Sequence, residues 1–269
     1  MITKKVNFLQ IGNDQCDFIR NSFQKYCEQF LTDDPLYNKY IELKRLHTFK
    51  VCENIIDIGH SLRMDREQLN FAEVLALLHD IGRFEQYQQY RTFDDSISEN
   101  HAALGLRVIE NEKILDDFSL EQKEVLYLSI LNHNIRSVPV GLPSKIDFYS
   151  RLLRDADKID IWRISIEMNI TYKLQDEILA DSYIVPPTFI QSFLNKQTIK
   201  MDQAATLYNN TLFKLSWIYD LNFTRSFEIF RKQKFGQKLL GKIPYSADLE
   251  NIGQIIDEYI VEKCVSYSA

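Results

Sequence analysis

The sequence predicts an all-α protein, and three observations carry that reading. Glycine and proline are scarce, 8 and 6 in 269 residues, too few to punctuate a many-turned β fold. Residues that cap helix N-termini recur along the chain in front of apolar stretches. Within those stretches the apolar side chains repeat with helical spacing, so one face of each can be buried.

Taken in order, residues 1–34 read as an N-terminal helical segment. Asp34-Pro35 combines an N-cap with a first-turn proline and opens a helix that runs towards Gly59. Asn70 with Glu73 resembles a capping box in front of the run Phe71 to Ile81, and Gly82 is read as the end of that helix. Ser96 with Glu99 opens the helix that contains His101. Ser119 with Gln122 opens the one that ends near His133, and Ser144 with Asp147 opens a long helix through Asp157 to Met168. Further helices are predicted from Thr188, across residues 203–221, across 224–233 and across 250–264.

The length suits one large domain or two small ones, with a real core. Residues 35–168 are read as the core that bears the chemistry. Residues 169–269 offer no candidate ligands and read as a helical lobe packed on that core, or as an oligomer face. The aromatics Trp217, Tyr219, Phe223, Phe227 and Phe230 belong to its core or to subunit contacts.

The net charge of -6 is dispersed, with no lysine or arginine run. This argues against a nucleic-acid surface and leaves a small phosphorylated molecule as partner. No stretch approaches the roughly 20 apolar residues that cross a bilayer, and the N-terminus lacks a signal-peptide core. Cys16, Cys27, Cys52 and Cys264 are widely spaced and are expected to be reduced and mostly buried, in a cytoplasmic protein.

Phe71 to Ile81 is apolar on nearly every face except at Glu73, which marks a central buried helix. Yet it leads into His79-Asp80. Burying an ionised carboxylate without a partner costs several kcal/mol, and a cation or a metal is the usual remedy. Of the five histidines, His47, His79, His101 and His133 fall on four different predicted helices, and Asp157 lies on a fifth. Imidazole and carboxylate groups converging from facing helices are how helical bundles build metal sites. Such donors suit zinc, iron, manganese or nickel better than calcium. His60 follows Gly59 at a helix end, pairs with no motif, and is read as a surface residue.

The order His47, His79-Asp80 within LLHDIGRF, and Asp157 within RDADKID resembles the HD superfamily of metal-dependent phosphohydrolases, over roughly residues 40 to 168. The resemblance implies an HD-domain helical bundle in which His47, His79, Asp80 and Asp157 hold a first divalent metal. Asp155 would then support or cap. In binuclear members two further histidines bind a second metal and the HD aspartate bridges, which assigns His101 and His133 here. The metals would be two per chain, drawn from manganese, iron, zinc, nickel or magnesium.

The run His133 to Pro143 is similar to the HHExxxGxGYP signature of cyclic-di-GMP phosphodiesterases, with His133, Arg136, Gly141 and Pro143 in register. Asn134, Ile135 and Leu142 depart from it and argue against that activity.

The implied chemistry is hydrolysis of a small phosphate ester or nucleotide by metal-activated water. Asp80, Arg83 and Lys158 are the catalytic candidates. Arg83, Arg136, Arg154 and Lys158 are the candidate phosphate contacts, because each neighbours a ligand in sequence. A second site of two histidines plus a bridging aspartate also resembles the HD-type di-iron oxygenases, such as inositol oxygenase. A non-catalytic nucleotide-binding HD protein is a third reading, opposed by the intact ligand set.

Overall fold

A computed structural model describes residues 7–167, 183–203 and 206–265. Regular structure among these residues is α-helical, with short 3-10 turns and no strand, so the all-α expectation holds. The chain divides into two compact units, Met1–Asp157 and Lys158–Ala269.

The first unit holds α1 (Asn13–Glu28), α2 (Pro35–Ser61), α3 (Arg66–Leu78), α4 (Gly82–Tyr90), α5 (His101–Asn111), α6 (Leu120–His133) and the start of α7 (Ser144–Glu167). Helix α3 is its centre. Every residue from Leu69 to Leu78 is buried, and α1, α2 and α6 pack around it. Glu73, the one acid on α3 inside this core, is met by the guanidinium of Arg20 from α1. Burying that carboxylate without Arg20 would be strongly destabilising. The ring of Phe71 meets Tyr149 of α7 edge-on at 4.9 Å, and the Tyr149 hydroxyl accepts from the Leu9 backbone N–H at 3.1 Å.

Helix starts follow local chemistry, with two corrections. Asp34 caps α2, its carboxylate accepting from the N–H groups of Leu36 and Tyr37, and Pro35 occupies the first turn. Ser119 and Gln122 form the predicted box at α6. At α3, however, the box is Asp65 with Gln68, so the helix starts at Arg66 and not behind Asn70. Asn70 is buried inside the helix and its amide donates to Ile11 O and Asn13 Oδ1. At α5 the cap is Asn100, which accepts from Ala102 N and Ala103 N, while Ser96 lies in a 3-10 turn over Asp95–Ile97.

Gly82 also differs from expectation. The chain leaves α3 at His79 and restarts at Gly82, which opens α4. A Cβ there would lie 2.3 Å from His101 O and 2.5 Å from Gly105 N, so a bare Cα is what lets α4 approach the start of α5.

The second unit holds the end of α7, then α8 (Pro187–Leu194), α9 (Leu207–Ser216), α10 (Thr224–Lys232), α11 (Phe235–Leu240) and α12 (Ala247–Val265). The helix predicted from Thr188 begins one residue earlier, at Pro187. The one predicted across 203–221 is α9, capped by Thr206 and followed by a 3-10 turn at Trp217–Asp220; Ala204 and Ala205 lie outside the described residues, as do Met168 and 169–182.

Trp162 is fully buried against Phe230 at 4.7 Å, and Phe223 and Phe227 are buried too. Tyr219 packs edge-on against Tyr259 at 4.9 Å, and half-buried Trp217 packs edge-on against Phe213 at 5.2 Å. These aromatics fill the unit's own interior. Cys16, Cys27 and Cys52 are buried thiols and Cys264 is partly exposed, all unpaired by disulfides. No helix among the described residues is long and apolar enough to cross a membrane.

Candidate metal centre

Five helices of the first unit deliver the predicted ligands to one buried place. His47 lies mid-way along α2, His79-Asp80 in the break between α3 and α4, His101 at the first position of α5, His133 at the last of α6, and Asp157 on α7. His47, His79, Asp80, His101 and His133 are all buried.

Asp80 stands between two groups. Its Oδ2 faces His47 Nε2 at 3.6 Å and His79 Nε2 at 3.8 Å. Its Oδ1 faces His101 Nε2 at 3.3 Å and His133 Nε2 at 3.8 Å. Asp157 joins the first group, with Oδ1 3.1 Å from His47 Nε2 and 3.8 Å from His79 Nε2. The trios His47–His79–Asp80 and Asp80–His101–His133 each bring their donor atoms close enough to hold a metal ion.

The hydrogen bonds fix which ring nitrogens are free to bind. His79 Nδ1 donates to Ala76 O at 2.7 Å and His133 Nδ1 donates to Ile130 O at 2.6 Å, because a carbonyl can only accept. His101 Nδ1 donates to Asp95 Oδ2 at 2.7 Å. Burial would raise the Asp95 carboxyl, but His101, Arg83 and Gln86 outweigh it and hold the group ionised, well below the usual carboxylate range.

Each ring therefore turns a bare Nε2 lone pair inward. His79 Nε2 is buried without a hydrogen-bond partner. The Nε2 atoms of His101 and His133 face one another at 3.0 Å. Two lone pairs at that distance repel unless a cation is shared between them. Burial disfavours a proton on His101, which it lowers to about 4, and on His79 likewise. The donor set fits a divalent metal.

Charge compensates charge around this cluster. Burial alone would raise Asp80, yet Lys44, His79 and Arg83 together hold it well below the ordinary range. Lys44 Nζ lies 2.9 Å from Asp80 Oδ2 and also stands over the Phe93 ring at 5.1 Å. Asp157 is likewise lowered against its burial, chiefly by His47 and then His79.

Residues 46–162 match the HD domain family. This stretch is similar to an HD domain. That stretch contains all six ligand candidates, and HD domains bind divalent metals. No curated protein and no solved structure matches the chain.

The candidate phosphate contacts are placed differently from one another. Arg83 turns its Nη1 to Gln86 Oε1, Phe93 O and Asp95 Oδ1, at 2.6–2.9 Å, with Nε 3.4 Å from Asp80 Oδ1. Arg154 is buried and donates to main-chain carbonyls at the end of α6. Arg136 is exposed, and Lys158 Nζ pairs with Asp220 at 2.8 Å. Asp155 is buried, and His60 is exposed near the end of α2.

Two contributors to the HD site lie outside the sequence reading. Lys44 precedes His47 by three positions, so helix periodicity alone sets it on the same face of α2. Asp95 gave no such sign, because it reaches His101 from a 3-10 turn. Asp95→Asn would remove the charge that orients His101. About a 10–100-fold weakening of metal binding is expected, read by titrating metal into the stripped protein. Unchanged affinity would mean that Asp95 only packs.

Proposed function

We propose that the chain is a metal-dependent phosphohydrolase, acting on a small phosphate ester or a nucleotide, in which Asp80 would be shared between two divalent metals that would activate water. The observation that carries this reading is the division of one carboxylate between two histidine groups: Oδ2 towards His47 and His79, Oδ1 towards His101 and His133. The first metal would be held by His47, His79, Asp80 and Asp157, the second by His101, His133 and Asp80. Divalent metal in such a site supplies a Lewis acid and lowers the pKa of its water towards ~7.

The chain's own residues would do the rest. His79, His101 and His133 would present Nε2 to a metal without rearrangement, since each Nδ1–H already has an acceptor. Lys44 lies beside Asp80 and is partly open to solvent, 17% exposed, so it would be placed to meet a phosphoryl oxygen. Arg83 braces Asp80 and Asp95 together. Lys158 and Arg136 keep the roles their sequence positions suggest only if they leave Asp220 and solvent, respectively, when substrate binds.

The test is direct. The purified full chain should carry one to two metals, and with manganese it should turn over a nitrophenyl phosphate or a nucleotide, losing that activity to a chelator and regaining it on metal return. Absence of metal after a metal-replete preparation would sink the binuclear reading. The second group has only two histidines and the shared aspartate, which also suits a di-iron oxygenase. Oxygen consumption by iron-loaded protein with an inositol-like or phosphonate substrate would favour that reading instead.

A further inference from the structure

Helix α6 ends on His133, so its last carbonyls lack helical partners just where a ligand must be held still. Ile130 O accepts from His133's own Nδ1 at 2.6 Å. Arg154 takes up the next ones. Its Nη1 lies 3.0 Å from Asn132 O, 3.0 Å from His133 O and 2.6 Å from Ile135 O, and its Nη2 lies 3.1 Å from Arg136 O. One buried guanidinium thus grips four carbonyls on both sides of His133. It does so from α7, three positions before Asp157, a member of the other group.

We propose that Arg154 is a positioning residue: it fixes His133 against His101 and ties the second metal group to the helix that carries Asp157. The proposal rests on the metal-pair reading. Its effect should be selective. The first group keeps His47, His79, Asp80 and Asp157 wherever α6 ends, whereas the second has only His101, His133 and Asp80 Oδ1, and a displaced His133 leaves it two. A lysine cannot replace the arginine, because a planar fork spans several acceptors and an ammonium is a single point of donation.

The experiment titrates manganese(II) into the metal-stripped full chain by calorimetry, for wild type and Arg154→Lys, with thermal melting alongside. Wild type should show two binding events. In Arg154→Lys the weaker event should lose affinity by about 10–100-fold, with the tighter one unchanged.

A residue that only stabilises the fold would lower the melting temperature and leave both affinities alone, and that result overturns the proposal. Should Arg154→Lys fail to fold, Arg154→Gly with millimolar guanidinium replaces it. Recovery of the second event with added guanidinium supports the assignment. No recovery, or recovery of melting temperature alone, overturns it. A wild type that takes up a single manganese instead removes the metal-pair reading, and this proposal with it. Two events in both proteins at equal affinity leave that reading standing and reject Arg154 alone.

Discussion

Asp80→Ala should abolish metal retention in both halves of the centre, while His60→Ala leaves it unchanged. Both are substitutions to alanine on the first unit, but only Asp80 faces ligands. Removing its Oδ1 leaves the second group two imidazoles, and removing its Oδ2 leaves the first group without the oxygen that faces His47 and His79. The loss also frees Lys44, whose ammonium sits 2.9 Å from Oδ2 and would then stand beside the first group as an unpaired positive charge. That charge opposes any divalent cation. Turnover of a phosphate ester should fall by about 10³-fold or more, since the metal supplies several kcal/mol of transition-state stabilisation. Metal analysis after dialysis, with circular dichroism to confirm folding, reads the result. Equal metal content in Asp80→Ala and His60→Ala would mean that the histidines and carboxylates are wrongly sorted.

Gly82→Ala should be the most damaging single-methyl change in the first unit. The new Cβ would lie 2.3 Å from His101 O, 2.5 Å from Gly105 N and 3.0 Å from Gly105 Cα. All three are backbone atoms and cannot swing aside, so α4 and α5 must separate. Overpacking of this kind costs about 3 kcal/mol, at the upper end of the usual range. The displaced atoms include those of His101 itself, so the second metal event should weaken in the same variant. Gly105→Ala provides the contrast. Its Cβ would meet its nearest neighbours, Gly82 N and an Ile81 side-chain carbon, at 3.4 Å, an ordinary contact, and it should be far milder. Chemical denaturation of the two variants measures the asymmetry; equal stabilities would show that the crossing is not tight at Gly82.

Much of the HD site was legible because its chemistry concentrates in a few rare residues. Four of the five histidines, with Asp80 and Asp157, lie in the cluster, and their motif order carried the family resemblance. Helix starts were legible where a cap had no competing use, as at Asp34 and Ser119. Asn70 misled because its amide spends its hydrogen bonds on Ile11 and Asn13 in α1's approach, a tertiary contact that local pattern does not contain.

Gly82 misled for a related reason. A glycine after a helix usually marks its end, whereas this one is required by the backbone of α5. Positive residues near ligands read alike in sequence, yet Arg154 is consumed by carbonyls, Arg83 by Asp95 and its neighbours, and Lys44, outside the motif, lies on Asp80. Partner choice among cations depends on geometry that one-dimensional spacing leaves open.

The candidate ligands of the centre stretch from His47 to Asp157, on five helices with no two groups adjacent except His79-Asp80. A chain that has formed α2 and α3 but not yet docked α5, α6 and α7 holds only part of either donor set. Loop-closure entropy must therefore be met across nearly the whole first unit before a cation finds its full coordination. A metal that needs the full donor set would bind the native state in preference to the open chain, and would then raise the free energy of opening the bundle.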